Sequence, residues 1–173
     1  MSRNKACEVA SYTPYSQRDL RWSWKRVGDS RLRFYDFGCL LTCLAMMVGR
    51  RPDELNQILL AAGAFDGPNL RSAQAATILG LDYAGRSFEI ENIPNISPTI
   101  REVDYTRDGG EFVRHFVLQM TGGDGTTFVV DPYGGVKRPL DYYSFVSYRL
   151  FARRPLGARR GETASSQSPA MPA

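Results

Sequence analysis

Residues 37–49 read FGCLLTCLAMMVG, an uncharged and largely apolar run that carries two of the chain's three cysteines, four positions apart. Leu40, Leu41, Leu44, Ala45, Met47 and Val48 cover most of the circumference of a helix begun at Cys39. The segment therefore predicts a helix over about 39–48, buried nearly all round. A thiol just after a glycine at the start of such a helix has two readings. It is a small core hydrophobe, or it is a nucleophile at a helix N-terminus, where main-chain amides favour the thiolate.

On the C-terminal side, RPDELNQILLAAG (51–63) predicts a second helix. Pro52 suits its first position, Asp53 and Glu54 suit the helix dipole, and Gly63 suits the C-terminal cap. NLRSAQAATILG (69–80) repeats the logic, with Asn69 as N-cap and Gly80 as stop. After Gly80 the pattern changes to β-branched and aromatic runs separated by Gly, Pro and Asn: LDYAGRSFEI, TIREVDY, EFVRHFVLQM, TTFVVDP and SFVSYRLFA. Helices first and strands afterwards predict an α+β fold, with N-terminal helices packed on an antiparallel sheet.

Length and composition bound the rest. A chain of 173 residues, 43% hydrophobic and 23% charged, fits one globular domain and excludes collagenous, coiled-coil or wholly disordered chains. The net charge is +4 and the arginines are scattered apart from a small cluster near the C-terminus, so nucleic acid is not expected as the main partner. The first residues lack an apolar core of signal-peptide length, and no run reaches the roughly 18 apolar residues of a membrane span. An odd cysteine count does not suit a disulfide framework. A reduced protein, cytoplasmic or virion-associated, is the expectation. Residues 1–13 read as a polar arm, 14–154 as the folded domain, and 155–173 as a flexible tail unable to build a core.

The single histidine, His115, lies in a predicted strand. A lone strand histidine is more often structural than catalytic, but the next strand changes its meaning. In HFVLQMTGGDGTTFVVD the GGD segment reads as a three-residue hairpin loop. If Thr121 pairs with Gly125, His115 falls directly across from Asp131. Directly opposed side chains stand about 4.5–5.5 Å apart, within reach of an imidazole–carboxylate hydrogen bond. Thiol, imidazole and carboxylate are the parts of a Cys-His-Asp site. A helix N-terminus and an imidazolium lower a thiol pKa from about 8.5 to about 3.5–7.5. The thiolate attacks an acyl carbon, the histidine protonates the leaving group, and the oxyanion is met by the Cys39 main-chain N–H and a side-chain amide.

Taken together, YSQRDLRW (15–22), GCLLTCLAMMVG (38–49), RPDELNQILLAAGAF (51–65), HFVL (115–118) and VVDPYGG (129–135) resemble the papain-like cysteine peptidases. The specific likeness is to stand-alone relatives of the leader-peptide-processing domains of bacteriocin export transporters, and it runs from about Tyr15 to Phe151. The resemblance implies a papain-like fold with Cys39 as nucleophile, His115 as base and acid, Asp131 as the orienting carboxylate and Gln17 as the oxyanion-hole amide. It implies a peptide or protein substrate.

Plainer roles are expected for the neighbours. Cys43 reads as core packing, one turn along the helix from Cys39, and Cys7 as incidental to the arm. Cys39, Cys43, His115 and Asp131 formally suit zinc, but one thiol would have to leave a buried helix face, so neither metal nor cofactor is expected. Trp22 and Trp24 read as core or wall aromatics, and Gly134 and Gly135 as a turn at the rim of the cleft. Two alternatives stand beside the peptidase. One is an amidase acting on cell-wall peptide. The other is a papain-like module serving as a structural or docking part of a larger assembly, such as a phage particle, that holds the C-terminal tail.

Overall fold

A computed structural model describes residues 12–89, 98–106 and 110–153. The expected tail over 155–173, nearly all of the expected arm and Cys7 lie outside the described residues. Among the described residues four helices come first: α1 (Phe34–Phe37), α2 (Cys39–Val48), α3 (Pro52–Ala61) and α4 (Ser72–Leu79). A short hairpin, β1 (Phe65–Asp66) with β2 (Asn69–Leu70), separates α3 from α4. Then follow β3 (Leu81–Ser87), β4 (Thr99–Thr106), β5 (Phe112–Thr121), β6 (Thr127–Asp131), β7 (Val136–Pro139) and β8 (Ser144–Arg153). These six form one antiparallel sheet in the order β3-β8-β4-β5-β6-β7. The class is α+β.

Helix α2 is apolar on every side because it is covered on every side: all residues from Leu41 to Met47 are buried. Gly49 ends it in the left-handed region at φ +69°, where a side chain would be strained. Helix α3 begins at Pro52 as its sequence requires, and Asp53 in its first turn is buried. That carboxylate binds Lys25 Nζ at 2.6 Å and Arg51 Nη2 at 2.9 Å, which ties the N-terminal coil to the helical layer. Coulombic and hydrogen-bonding contacts with these two cations outweigh burial and hold the Asp53 pKa below its ordinary value.

Asn69 is not an N-cap. It pairs with Asp66 in the β1–β2 hairpin, and α4 starts only at Ser72. The DGPN run over 66–69 is a stronger turn signal than Asn69 is a cap signal, with Gly67 at φ +57°. Elements α1, β1, β2 and β7 are four residues or fewer, too short to carry a hydrophobic period.

The sheet has two covered faces. One packs under the helices, where Ile100, Leu118, Met120, Val130 and Phe151 meet Leu44, Met47, Leu55 and Leu59. The other carries a smaller cluster of Val103, Val117, Val129 and Tyr143. Trp22 belongs to the main core and is fully buried, its indole N–H donating to Ser16 O at 2.8 Å. Trp24 is 63% exposed and does not wall the core.

The β5–β6 register differs from the predicted one. Thr121 pairs with Thr127, not with Gly125, and the connection is five residues long. Gly122 N–H donates to Thr126 O, Gly125 N–H to Gly122 O, and Asp124 Oδ1 accepts from the Thr126 amide. This closed network of turn bonds draws two further residues out of the ladder. Continued to the strand end, the register sets Asp131 opposite Val117 and diagonal to His115.

Candidate active site

Strand β5 has ten residues and β6 has five. Their ladder runs only from Leu118–Val130 to Thr121–Thr127, and Pro132 then carries the chain away from it. The first half of β5 is therefore left without β6 alongside. The N-terminus of α2 meets it there. Cys43 Sγ lies 3.5 Å from the carbonyl oxygen of Phe116, and the Phe116 amide hydrogen-bonds Cys39. Both cysteines of the helix thus address one residue of the strand, and they do so differently.

Cys43 is fully buried. Burial, with the charge of Cys39 adding to it, pushes its thiol well above the ordinary range, so it stays a neutral S–H donor. Cys39 is partly exposed and free. Burial pushes its thiol up, but a hydrogen bond and the positive charge of His115, with the amides of Phe116 and Leu40, outweigh it and hold the pKa below its ordinary value. As the first residue of α2, Cys39 also has a main-chain N–H with no intrahelical acceptor.

Gly38 explains the junction. It closes α1, donating its N–H to Phe34 O at 2.9 Å, and immediately precedes Cys39. A Cβ here would stand 2.6 Å from Phe34 Cδ1 and 2.7 Å from Phe34 O. Only a residue without a side chain lets the two helices join so tightly with the thiol at the bend.

His115 is 5% exposed. Its Nε2 lies 2.7 Å from Asp131 Oδ1, which leaves Nδ1 to face Cys39. Burial presses the imidazole toward neutrality, yet the hydrogen bonds and charges of Asp131 and Cys39 prevail and raise it to about 9. The lowered thiol and the raised imidazole both favour the thiolate–imidazolium form of the pair. Asp131, 4% exposed, is held by two further donors: the Tyr133 amide reaches Oδ1 at 2.8 Å and the Tyr143 hydroxyl reaches Oδ2 at 2.5 Å. Burial and the neighbouring carboxylate push the Tyr143 pKa up, so its hydroxyl remains a donor. Nothing in the sequence pattern marks Tyr143; the β7–β8 connection brings it back over the sheet, beside His115 at a ring separation of 6.3 Å.

Gln17 is 2% exposed and bridges the two halves of the site. Its main-chain N–H donates to Pro132 O at 2.6 Å, one residue past Asp131, and its Nε2 donates to Tyr35 O at 2.9 Å, four residues before Cys39. One of its two amide hydrogens is thereby committed, and Oε1 is buried without a hydrogen-bond partner. Next to it, the Arg18 guanidinium lies between the rings of Tyr35 and Tyr133, 4.2 Å and 3.2 Å from their centroids. Gly135 turns at φ +68° beside Tyr15 and Ser16, so the turn after Asp131 packs against the segment that carries Gln17.

A cleft of about 680 Å³ opens beside the thiol. Its walls include Cys39, Leu40, Phe116, Leu70, Arg114 and Arg149. Among the described residues, no group of three or more His, Cys, Asp and Glu is arranged to hold a metal ion, and no helix is long and apolar enough to cross a membrane. Comparisons with models of protein families, with curated proteins and with solved structures return no match for this chain.

Proposed function

We propose that the chain is a papain-like cysteine peptidase or amidase that hydrolyses a peptide-type amide through a thiol acyl-enzyme. The observation that carries this reading is the joining of Cys39, at the first position of a helix, to His115, itself held by Asp131 at 2.7 Å. A merely structural thiol gains nothing from a buried imidazolium. A nucleophile does.

In this reading the Cys39 thiolate attacks the carbonyl carbon and forms the C–S bond. The oxyanion is met by the Cys39 main-chain N–H and the remaining Nε2 hydrogen of Gln17. The C–N bond then breaks, and the His115 imidazolium passes its proton to the leaving nitrogen. Neutral His115 next takes a proton from water, the hydroxide attacks the thioester, and a carboxylic acid departs as the thiolate and imidazolium are restored. Asp131 holds Nε2 throughout, so that Nδ1 faces the sulfur.

The test is the pH dependence of iodoacetamide labelling at Cys39, in the parent chain and in His115→Ala. Labelling that stays fast well below pH ~7 and slows in the variant supports an activated pair. Slow labelling that titrates near pH ~8.5 in both rejects it, and leaves a papain-like docking module of a larger assembly as the better reading.

A further inference from the structure

We infer that the cleft reads a carboxylate on the acyl half of the substrate through Arg149, an inference that rests on the thiol-hydrolase reading above. The side of the cleft follows from proton transfer. A leaving nitrogen must sit against the imidazole that protonates it, and His115 does not line the cleft, whereas Cys39, Leu40 and Phe116 do. The cavity therefore receives the part of the substrate that stays bonded to sulfur.

Arg149 lines this cavity, one side chain away from the thiol. The Phe116 amide touches Cys39, and the Phe116 ring lies 5.6 Å from the Arg149 guanidinium carbon. The guanidinium is only loosely paired. Its Nη2 makes an ion pair with Glu102 at 3.9 Å, too long for a hydrogen bond. Glu102 already accepts from Arg86 Nη2 at 2.6 Å and from Ser147 Oγ at 2.5 Å. Arg149 Nε is buried without a hydrogen-bond partner. The other guanidinium on the lining, Arg114, is paired with Asp104 at 3.2 Å, and the wall carboxylates Asp36 and Glu111 are each engaged in an interaction. Arg149 thus brings a partly desolvated, loosely paired guanidinium to the cavity wall, and the group that matches a guanidinium is a carboxylate.

Two substrate sources present that group. An ordinary peptide offers the side chain of Asp or Glu, and a γ-linked glutamyl residue offers its free α-carboxylate. Three peptidyl acyloxymethyl ketones distinguish them: one with Glu at the second and third positions before the ketone, one with Gln at both, and one with a γ-linked glutamyl unit there. In each, the Cys39 thiolate displaces the acyloxy carboxylate and forms a stable C–S bond, so labelling rates at Cys39 report binding in the cleft. The wild-type chain should react about tenfold faster with one of the two acidic probes than with the Gln probe. Arg149→Gln should bring that ratio to about one, and Arg149→Lys should keep more of it than Arg149→Gln, with circular dichroism reporting the fold of each. The acidic probe that gains the rate identifies the source.

Equal rates for all three probes in the wild-type chain would overturn the subsite while leaving the thiol reading intact. So would a preference that survives Arg149→Gln. If neither iodoacetamide nor any peptidyl probe labels Cys39, the thiol reading fails and the subsite falls with it.

Discussion

Asp131 holds His115 across a diagonal of the sheet, and its two carboxylate oxygens are both occupied: Oδ1 by His115 Nε2 and the Tyr133 amide, Oδ2 by the Tyr143 hydroxyl. A carboxylate fixed at both oxygens cannot rotate, so the imidazole it holds has one orientation. Asp131→Asn removes one of the two groups, with Cys39, that raise His115 from its ordinary value to about 9. The alkaline limb of the pH–rate profile should then move down from about 9, and kcat/KM should fall on the order of 100-fold. A variant profile that superimposes on the wild type would exclude Asp131 from this role.

Tyr143→Phe tests the third donor. It leaves one oxygen of a buried carboxylate unmatched, which costs about 1.5–3 kcal/mol for a hydrogen bond to a charged group. Thermal denaturation should register a Tm lower by several degrees. Unchanged stability would mean that water replaces the hydroxyl without cost.

Gly38→Ala places a methyl group 2.6 Å from Phe34 Cδ1 and 2.7 Å from its carbonyl oxygen. One of the two helices must shift, at a cost of about 1–3 kcal/mol. Because Cys39 is the next residue, iodoacetamide labelling should slow along with the loss of stability. A variant that loses stability but labels at the parental rate would show that the bend does not aim the thiol.

The two cysteines of α2 should separate cleanly under alkylation of the native protein. Cys39→Ala should abolish labelling with the fold retained. Cys43→Ala should still label at Cys39, with a modest stability loss of about 1 kcal/mol from the small cavity and the lost S–H contact to Phe116 O. Mass spectrometry of the labelled peptide assigns the site, and labelling of Cys43 would contradict its raised pKa.

Hydrolysis should follow a bell-shaped pH profile, provided a substrate is in hand. The acidic limb reports Cys39, held below its ordinary value, because protonation of the thiolate removes the nucleophile. The basic limb lies near 9, because deprotonated His115 has no proton for the leaving nitrogen. The same shifts bear on stability. His115, raised on folding, contributes fully below its unfolded pKa of about 6.5, and that contribution is lost as pH rises through about 9. Cys39, lowered on folding, contributes above its unfolded value and loses that contribution as pH falls through its folded pKa. His115→Ala should therefore flatten both limbs of stability against pH.

The α+β class, helices α2 and α3 and the long strands were legible in the sequence because each has a period or a terminal signal strong enough to decide its own conformation. The face shared by His115 and Asp131 was legible for a subtler reason. The true hairpin register differs from the expected one by two residues, and an even shift preserves which side of a strand faces which. A one-residue error would have put the two on opposite faces. What no local pattern could supply was distance between separate elements. Tyr143 at Asp131, Gln17 between Pro132 and Tyr35, and Arg149 on the wall of the cleft are joined to their partners across 12 to 115 residues of chain, or through the pairing of β8 with β4, and only tertiary structure decides which of them meet. The chemistry of Cys39 itself lies on both sides of that line. Its place after Gly38 at a helix start is written in the sequence, whereas its lowered pKa exists only because β6 stops short and lets the helix reach the open edge of β5 at Phe116.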